Sequence, residues 1–270
     1  MSDKVVVLTR DGAVATILLN RPEKLNALDE SEEHGLEEAI ASIAHDPTTR
    51  VAILTGAGRA FCAGGDIQTL VELKTHHHSA TLRKLLEQGN NLVQEIRRLP
   101  FPVLASVNGP TAGAGMSLAL ACDMRIASDR ATFVQAFLKI GLHPDWGATF
   151  FLARQVGIAR AMEMFFLGDP VGAEEARRIG LVNFVVPHEQ LAAETRKLAD
   201  RLAALPQLPV SLMKEALYQR IETALDSVME HEVQAQMKCF ASENFEEGLK
   251  AFAEKRPPQF KLERSRRDSP

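Results

Sequence analysis

Two stretches of this 270-residue chain place small residues directly after a short apolar strand. Val51–Thr55 leads into Ala63-Gly64, and Val103–Val107 leads into Gly113-Ala114-Gly115. Small residues let another molecule approach the backbone, and a helix starting at such a loop presents free N–H groups with a favourable dipole. Two such donors aimed at one point make an oxyanion hole, where loss of one donor costs roughly 10²–10³-fold in rate. Spacing alone does not join the loops; two unrelated tight turns fit the same residues. A third candidate is Asp145, within Ile140-Gly141-Leu142-His143-Pro144-Asp145-Trp146-Gly147. Desolvation by Phe133, Phe137, Leu142 and Trp146 would raise its pKa and make it a stronger base. An aspartate after Pro144 also reads as a helix N-cap, which would lower the pKa. The two roles conflict.

Other motifs fail on context. Gly56-Ala57-Gly58 begins like a dinucleotide fingerprint, but Phe61 stands at the third glycine position and no helix start follows. Gly109–Gly115 lacks the Gly-Lys-Ser/Thr of a phosphate loop. Gly115-Met116-Ser117-Leu118-Ala119 is a near miss to a nucleophile elbow, with Ser117 reading as a small residue in a tight helix. His76-His77-His78 has no partner spacing for a metal and reads as a solvated loop.

The elements that must hold these loops alternate strand and helix. Val5–Thr9 and Ala13–Leu19 flank Asp11-Gly12 as a hairpin. Asp29 and Glu32 form a capping-box start to a helix carrying Leu36, Ala39, Ile40 and Ile43. Helical patterns run from about Ile67 to Thr75 and from Ala80 to Arg98, and Gly113–Cys122 reads as a closely packed helix. Strands are expected near Met124–Ala127, Ala131–Val134 and Leu181–Val186. Pro206 and Pro209 mark a boundary before long helices reaching Glu254. The expected class is α/β, with a core over 1–205 and a C-terminal helical region over 206–270.

Composition narrows the function. Lys and Arg total 31 against 35 Asp and Glu, a net charge of -4 that disfavours general nucleic-acid binding. The charge is uneven: Lys250–Pro270 carries +4 and the rest -8, leaving a basic end suited to one small polyanion. Cys62, Cys122 and Cys239 form no disulfide framework or metal motif. Leu99–Cys122 is uncharged but broken by Pro100, Pro102 and Pro110, so no membrane span is expected. A cytoplasmic location and no metal are expected.

Four segments carry a family resemblance. Asn20-Arg21-Pro22-Glu23-Lys24-Leu25-Asn26-Ala27-Leu28, Phe61-Cys62-Ala63-Gly64-Gly65-Asp66-Ile67, Val107–Gly115 continuing to Cys122-Asp123, and Phe252–Pro257 resemble signatures of the crotonase, or enoyl-CoA hydratase/isomerase, superfamily. The resemblance implies a spiral of ββα units with a C-terminal helical region, assembled as a homotrimer or a dimer of trimers. It implies an acyl-CoA thioester substrate, with CoA as part of the substrate rather than a separate cofactor. By motif position, the oxyanion donors would be the N–H groups of Ala63 and Ala114. The CoA site would involve Gly65, Asp66 and Ile67, with Lys24 and Leu25 nearby, and Phe252 and Lys255 would reach the CoA of a neighbouring subunit.

Hydratases of this family use two glutamates, where this sequence has Ser117 and Phe137. Ring-epoxide (1,2-epoxyphenylacetyl-CoA) and dienoyl-CoA isomerases resemble it in carrying aspartate where Asp145 stands. The resemblance therefore implies a double-bond isomerase of fatty-acid or phenylacetate metabolism. An atypical hydratase and a non-catalytic acyl-CoA binder are the alternatives. Helices over Leu70–Glu87 are expected to line the pocket for the acyl group.

Overall fold

The computed structural model describes residues 4–261, without the side chains of 219–223. The hairpin forms as expected: β1 (Val6–Asp11) and β2 (Val14–Leu19) pair antiparallel around Gly12, whose φ of 59° suits glycine. The chain then alternates through α1 (Glu30–Ala44), β3 (Val51–Gly56), α2 (Ile67–Thr75), α3 (Ser79–Arg98) and β4 (Val103–Val107). Next come β5 (Thr111–Ala112), α4 (Gly113–Ala121), β6 (Met124–Ser128) and β7 (Thr132–Val134). After α5 (Ala148–Val156) and α6 (Ile158–Leu167) follow β8 (Val171–Gly172), α7 (Ala173–Arg178) and β9 (Phe184–Val186). Three helices finish the described chain: α8 (Leu191–Ala203), α9 (Gln207–Ala241) and α10 (Glu243–Glu254).

A six-stranded sheet runs β1-β2-β3-β4-β6-β9, parallel after the first hairpin, and a small second sheet runs β5-β7-β8. This is the α/β class expected from the sequence, with the helices connecting parallel strands. β4 is buried at every residue, as befits a strand covered on both faces. The strand expected over Leu181–Val186 is shorter than its sequence pattern. The Leu181 and Val182 N–H groups donate to the Ala176 carbonyl, and pairing with β6 starts at Phe184. β5 and β8, two residues each, have no legible sequence pattern.

Three features of packing position the site. The stripe Leu82, Leu85, Leu86, Leu92, Val93 and Ile96 buries one face of α3. From α9, Leu225, Met229 and Val233 join the main core, so the C-terminal region packs into the body of the protein. Finally, α4 is buried throughout, and Gly115 sits where a Cβ would lie 2.5 Å from the Cys62 carbonyl oxygen. Only glycine permits that approach between the two small-residue loops.

Candidate active site

The two loops meet. The Phe61 N–H donates to the Pro110 carbonyl (3.1 Å), and the Ala112 N–H donates to the Cys62 carbonyl (3.0 Å). A Cβ on Gly64 would lie 3.5 Å from the Ala114 nitrogen. Two buried asparagines fasten the loop from below. Asn26 Nδ2 donates to the Ala57 and Ala60 carbonyls, and Asn108 Nδ2 donates to those of Gly58 and Ala60. The motif asparagines therefore hold the scaffold.

Ala114 lies in the first turn of α4, where N–H groups have no intrahelical acceptor, and it lines a cavity of about 590 Å³. The other expected donor requires a correction. The Ala63 N–H is engaged, donating to the Leu25 carbonyl at 3.0 Å. Leu28 bridges Gly65 in parallel register: its N–H donates to the Gly64 carbonyl, and its carbonyl accepts from the Asp66 N–H. That alternation turns the Gly65 N–H away from Leu28, and Gly65 lines the cavity. The available loop donors are thus Gly65 and Ala114.

Asp145 is also on the cavity wall and is 7% exposed. It does not cap α5; the N-cap is Gly147, with no side-chain bond from the N-cap residue. That work is done from α9, where Glu232 accepts the N–H groups of Gly147 (2.7 Å) and Thr149 (3.0 Å). One turn further, Gln236 Nε2 donates to Asp145 Oδ2 (2.9 Å), and its Oε1 accepts the His143 N–H (2.7 Å). Asp145 Oδ1 is buried with no hydrogen-bond partner. Burial, and secondarily the nearby Glu232 carboxylate, pushes the Asp145 pKa up to about 8, against the opposing bond from Gln236. The adjacent Trp146 has φ 55°, a left-handed conformation costly for a bulky side chain.

The expected hydratase positions hold no acid. Ser117 is buried in α4 and its Oγ donates to the Asp145 carbonyl (3.0 Å), bracing the loop rather than acting as a nucleophile. Phe137 is apolar wall. Leu70, Leu73, Leu82, Leu85 and Leu86 complete one side of the cavity, in the segment expected to contact the acyl group.

Lys24, Gly65, Asp66, Ile67 and Phe252 also line this cavity, whereas Leu25 and Lys255 are not among its lining residues. Asp66 caps α2 through the Gln68 N–H and accepts from Arg21 and Lys24, each at 2.8 Å. Phe252 reaches the cavity of its own chain. Lys255 ends α10 at φ 51°, and Arg256 is ion-paired with Glu247 and Glu254. Arg264, Arg266 and Arg267 of the basic end lie outside the described residues.

One cavity residue escaped the sequence reading. Glu33, in the first turn of α1, is 5% exposed and lines the cavity. Its signal was a polar residue on the inward stripe that continues through Leu36, Ile40 and Ile43. Among the described residues, no group of His, Cys, Asp and Glu is arranged to hold a metal, and no helix is long and apolar enough to cross a membrane.

The family model described as enoyl-CoA hydratase/isomerase matches residues 9–263. The chain is 41% identical to a probable enoyl-CoA hydratase of Rhodobacter capsulatus, covering 92% of this chain and 94% of that one. It is 40% identical to the 1,2-epoxyphenylacetyl-CoA isomerase of Escherichia coli, with the same coverage. An enoyl-CoA hydratase structure from Mycobacterium avium subsp. paratuberculosis superposes with TM-score 0.86 at 36% identity, covering 96% of this chain and 99% of that one. The chain belongs to the enoyl-CoA hydratase/isomerase family.

Proposed function

We propose that this protein is an acyl-CoA double-bond isomerase. The carrying observation is Asp145: a buried carboxyl with one unpartnered oxygen on the cavity wall, in a site whose two hydratase acid positions hold Ser117 and Phe137. The thioester oxygen lies between the N–H groups of Gly65 and Ala114, which stabilise negative charge as it develops. Asp145 in its ionised form takes a proton from the α or γ carbon. The C–H electron pair enters the dienolate, and a proton is then returned to the other carbon. A base with a pKa near the working pH suits both steps.

The CoA portion would pass Lys24 and the backbone of Gly65–Ile67, with Phe252 on the cavity wall; Leu25 and Lys255 would contribute from outside it. We also propose a trimer or dimer of trimers. Exposed Ile158, Met162, Phe166 and Leu167 on α6, and Leu208, Leu212, Met213 and Leu217 on α9, supply apolar surface for such contacts.

Hydration is the second reading, supported by the hydratase names among relatives and by Glu33, a further carboxyl in the same cavity and, unlike Asp66, in no ion pair among the described residues. Substitution Asp145→Asn tests the isomerase reading. The variant should bind CoA esters while converting a β,γ-enoyl-CoA to the conjugated ester roughly 10²–10⁴-fold more slowly. Undiminished conversion removes Asp145 from the reaction. A parent protein that binds esters but turns over none from a broad panel is a silent binder.

A further inference from the structure

Asp145 is not the only buried acid facing the acyl cavity. Glu33, on α1, lines the same cavity. Its Oε2 and the Asp145 Oδ1 are both buried without a hydrogen-bond partner. Burial, with the nearby charges of Asp145, Glu37, Asp29 and Glu30, pushes the Glu33 pKa up to about 9. A buried carboxyl oxygen left without a protein partner opposes folding, and its position on a substrate cavity gives it a reason to persist. Two acids in one low-dielectric space favour a state in which one is ionised and the other protonated. That state is a ready proton acceptor beside a ready proton donor.

Resting on the isomerase reading, we propose that Glu33 is the second proton carrier of the reaction, with one of the two carboxyls taking the proton and the other returning one at the far carbon. In the forward step a C–H bond breaks, an O–H bond forms on the accepting carboxylate, and the electron pair joins the dienolate. In the return step the dienolate pair forms a new C–H bond as the O–H bond of the donating acid breaks. The acceptor ends protonated and the donor ionised, and exchange with water restores the starting pair. No further reactant is required.

The test uses the full chain and its Glu33→Gln, Glu33→Asp and Asp145→Asn variants with a short β,γ-enoyl-CoA in deuterated water. Double-bond migration, deuterium at each carbon and ester affinity are measured together. Glu33→Gln should bind the ester normally, migrate the bond roughly 10²–10⁴-fold more slowly, and exchange deuterium at one carbon only. Asp145→Asn should keep exchange at the other carbon, and Glu33→Asp should recover part of the migration. Full activity in Glu33→Gln with a dead Asp145→Asn overturns this inference and leaves Asp145 as a lone base. An inactive Glu33→Gln with an active Asp145→Asn overturns the Asp145 assignment and retains Glu33. Loss of ester affinity in Glu33→Gln, with exchange gone at both carbons, makes Glu33 structural. A product heavier by one water whose formation needs Glu33 assigns it to hydration and contradicts proton return.

Discussion

Gln236 donates to Asp145 Oδ2 at 2.9 Å and leaves Oδ1 unpartnered on the cavity wall. The same amide accepts the His143 N–H, so one side chain from α9 orients the carboxylate and fixes the loop that carries it. Its bond favours the ionised form of Asp145.

Replacing Gln236 with Leu should therefore make Asp145 a carboxyl that ionises later. A hydrogen bond to a charged group contributes roughly 1.5–3 kcal/mol, equivalent to about 1–2 pH units. The acidic limb of the kcat/KM–pH profile should move upward from about 8 by that amount. A profile that keeps its position excludes Gln236 as a positioning residue.

Glu232 acts in the opposite sense, because its carboxylate raises the Asp145 pKa. Glu232→Gln removes the like charge and retains a side-chain acceptor for the Gly147 and Thr149 N–H groups. The acidic limb should move downward, while Glu232→Ala, which also removes the cap of α5, should lose about 0.5–2 kcal/mol of stability. Denaturant melts and pH profiles on both variants separate the capping role from the electrostatic one.

Burial of Asp145 has a signature in stability. Its folded pKa, about 8, lies above the unfolded value of 3.8, so the folded state binds more protons between those limits. Its contribution to stability therefore falls as pH rises from about 4 to about 8 and is flat beyond. Asn does not ionise, so Asp145→Asn should be more stable than the parent at pH 9, with the gap closing towards pH 4. A gain of at least about 1 kcal/mol corresponds to roughly 2–4 °C in a protein of this size. Thermal melts without ligand at both pH values check this; an equal or lower Tm at pH 9 contradicts it.

Trp146 closes the cavity beside Asp145 by lying against Gly89 of α3, where a Cβ would stand only 1.8 Å from the indole. Gly89→Ala should overpack this contact at a cost of about 1–3 kcal/mol. It should also displace the Asp145 loop, lowering kcat as well as Tm. Unchanged kinetics with a lowered Tm would detach Trp146 from the geometry of the base.

Strand–helix alternation, the hairpin at Gly12 and the helices near the loops were legible because each is written in local periodicity or turn chemistry. The meeting of the two loops was not. It depends on Gly115 accommodating the Cys62 carbonyl and on Asn26 and Asn108 reaching across the chain. The choice between Ala63 and Gly65 as donor rests on which N–H the 25–28 segment engages, a matter of strand register that residue type does not encode. In sequence Asp145 reads equally as cap or base, because the residue that caps α5, Glu232, comes from α9, far along the chain. Glu33 was hidden among the acidic residues of a helix start, where glutamate normally reads as favourable to the dipole.

Incubation of the parent protein with β,γ-enoyl-CoA and α,β-enoyl-CoA in deuterated water, followed by mass spectrometry, tests double-bond movement most directly. The expected result is interconversion of the two esters with deuterium incorporated into carbon and no stable gain of a water mass. Accumulation of a water adduct from the α,β-ester, without movement of the double bond, would contradict isomerisation.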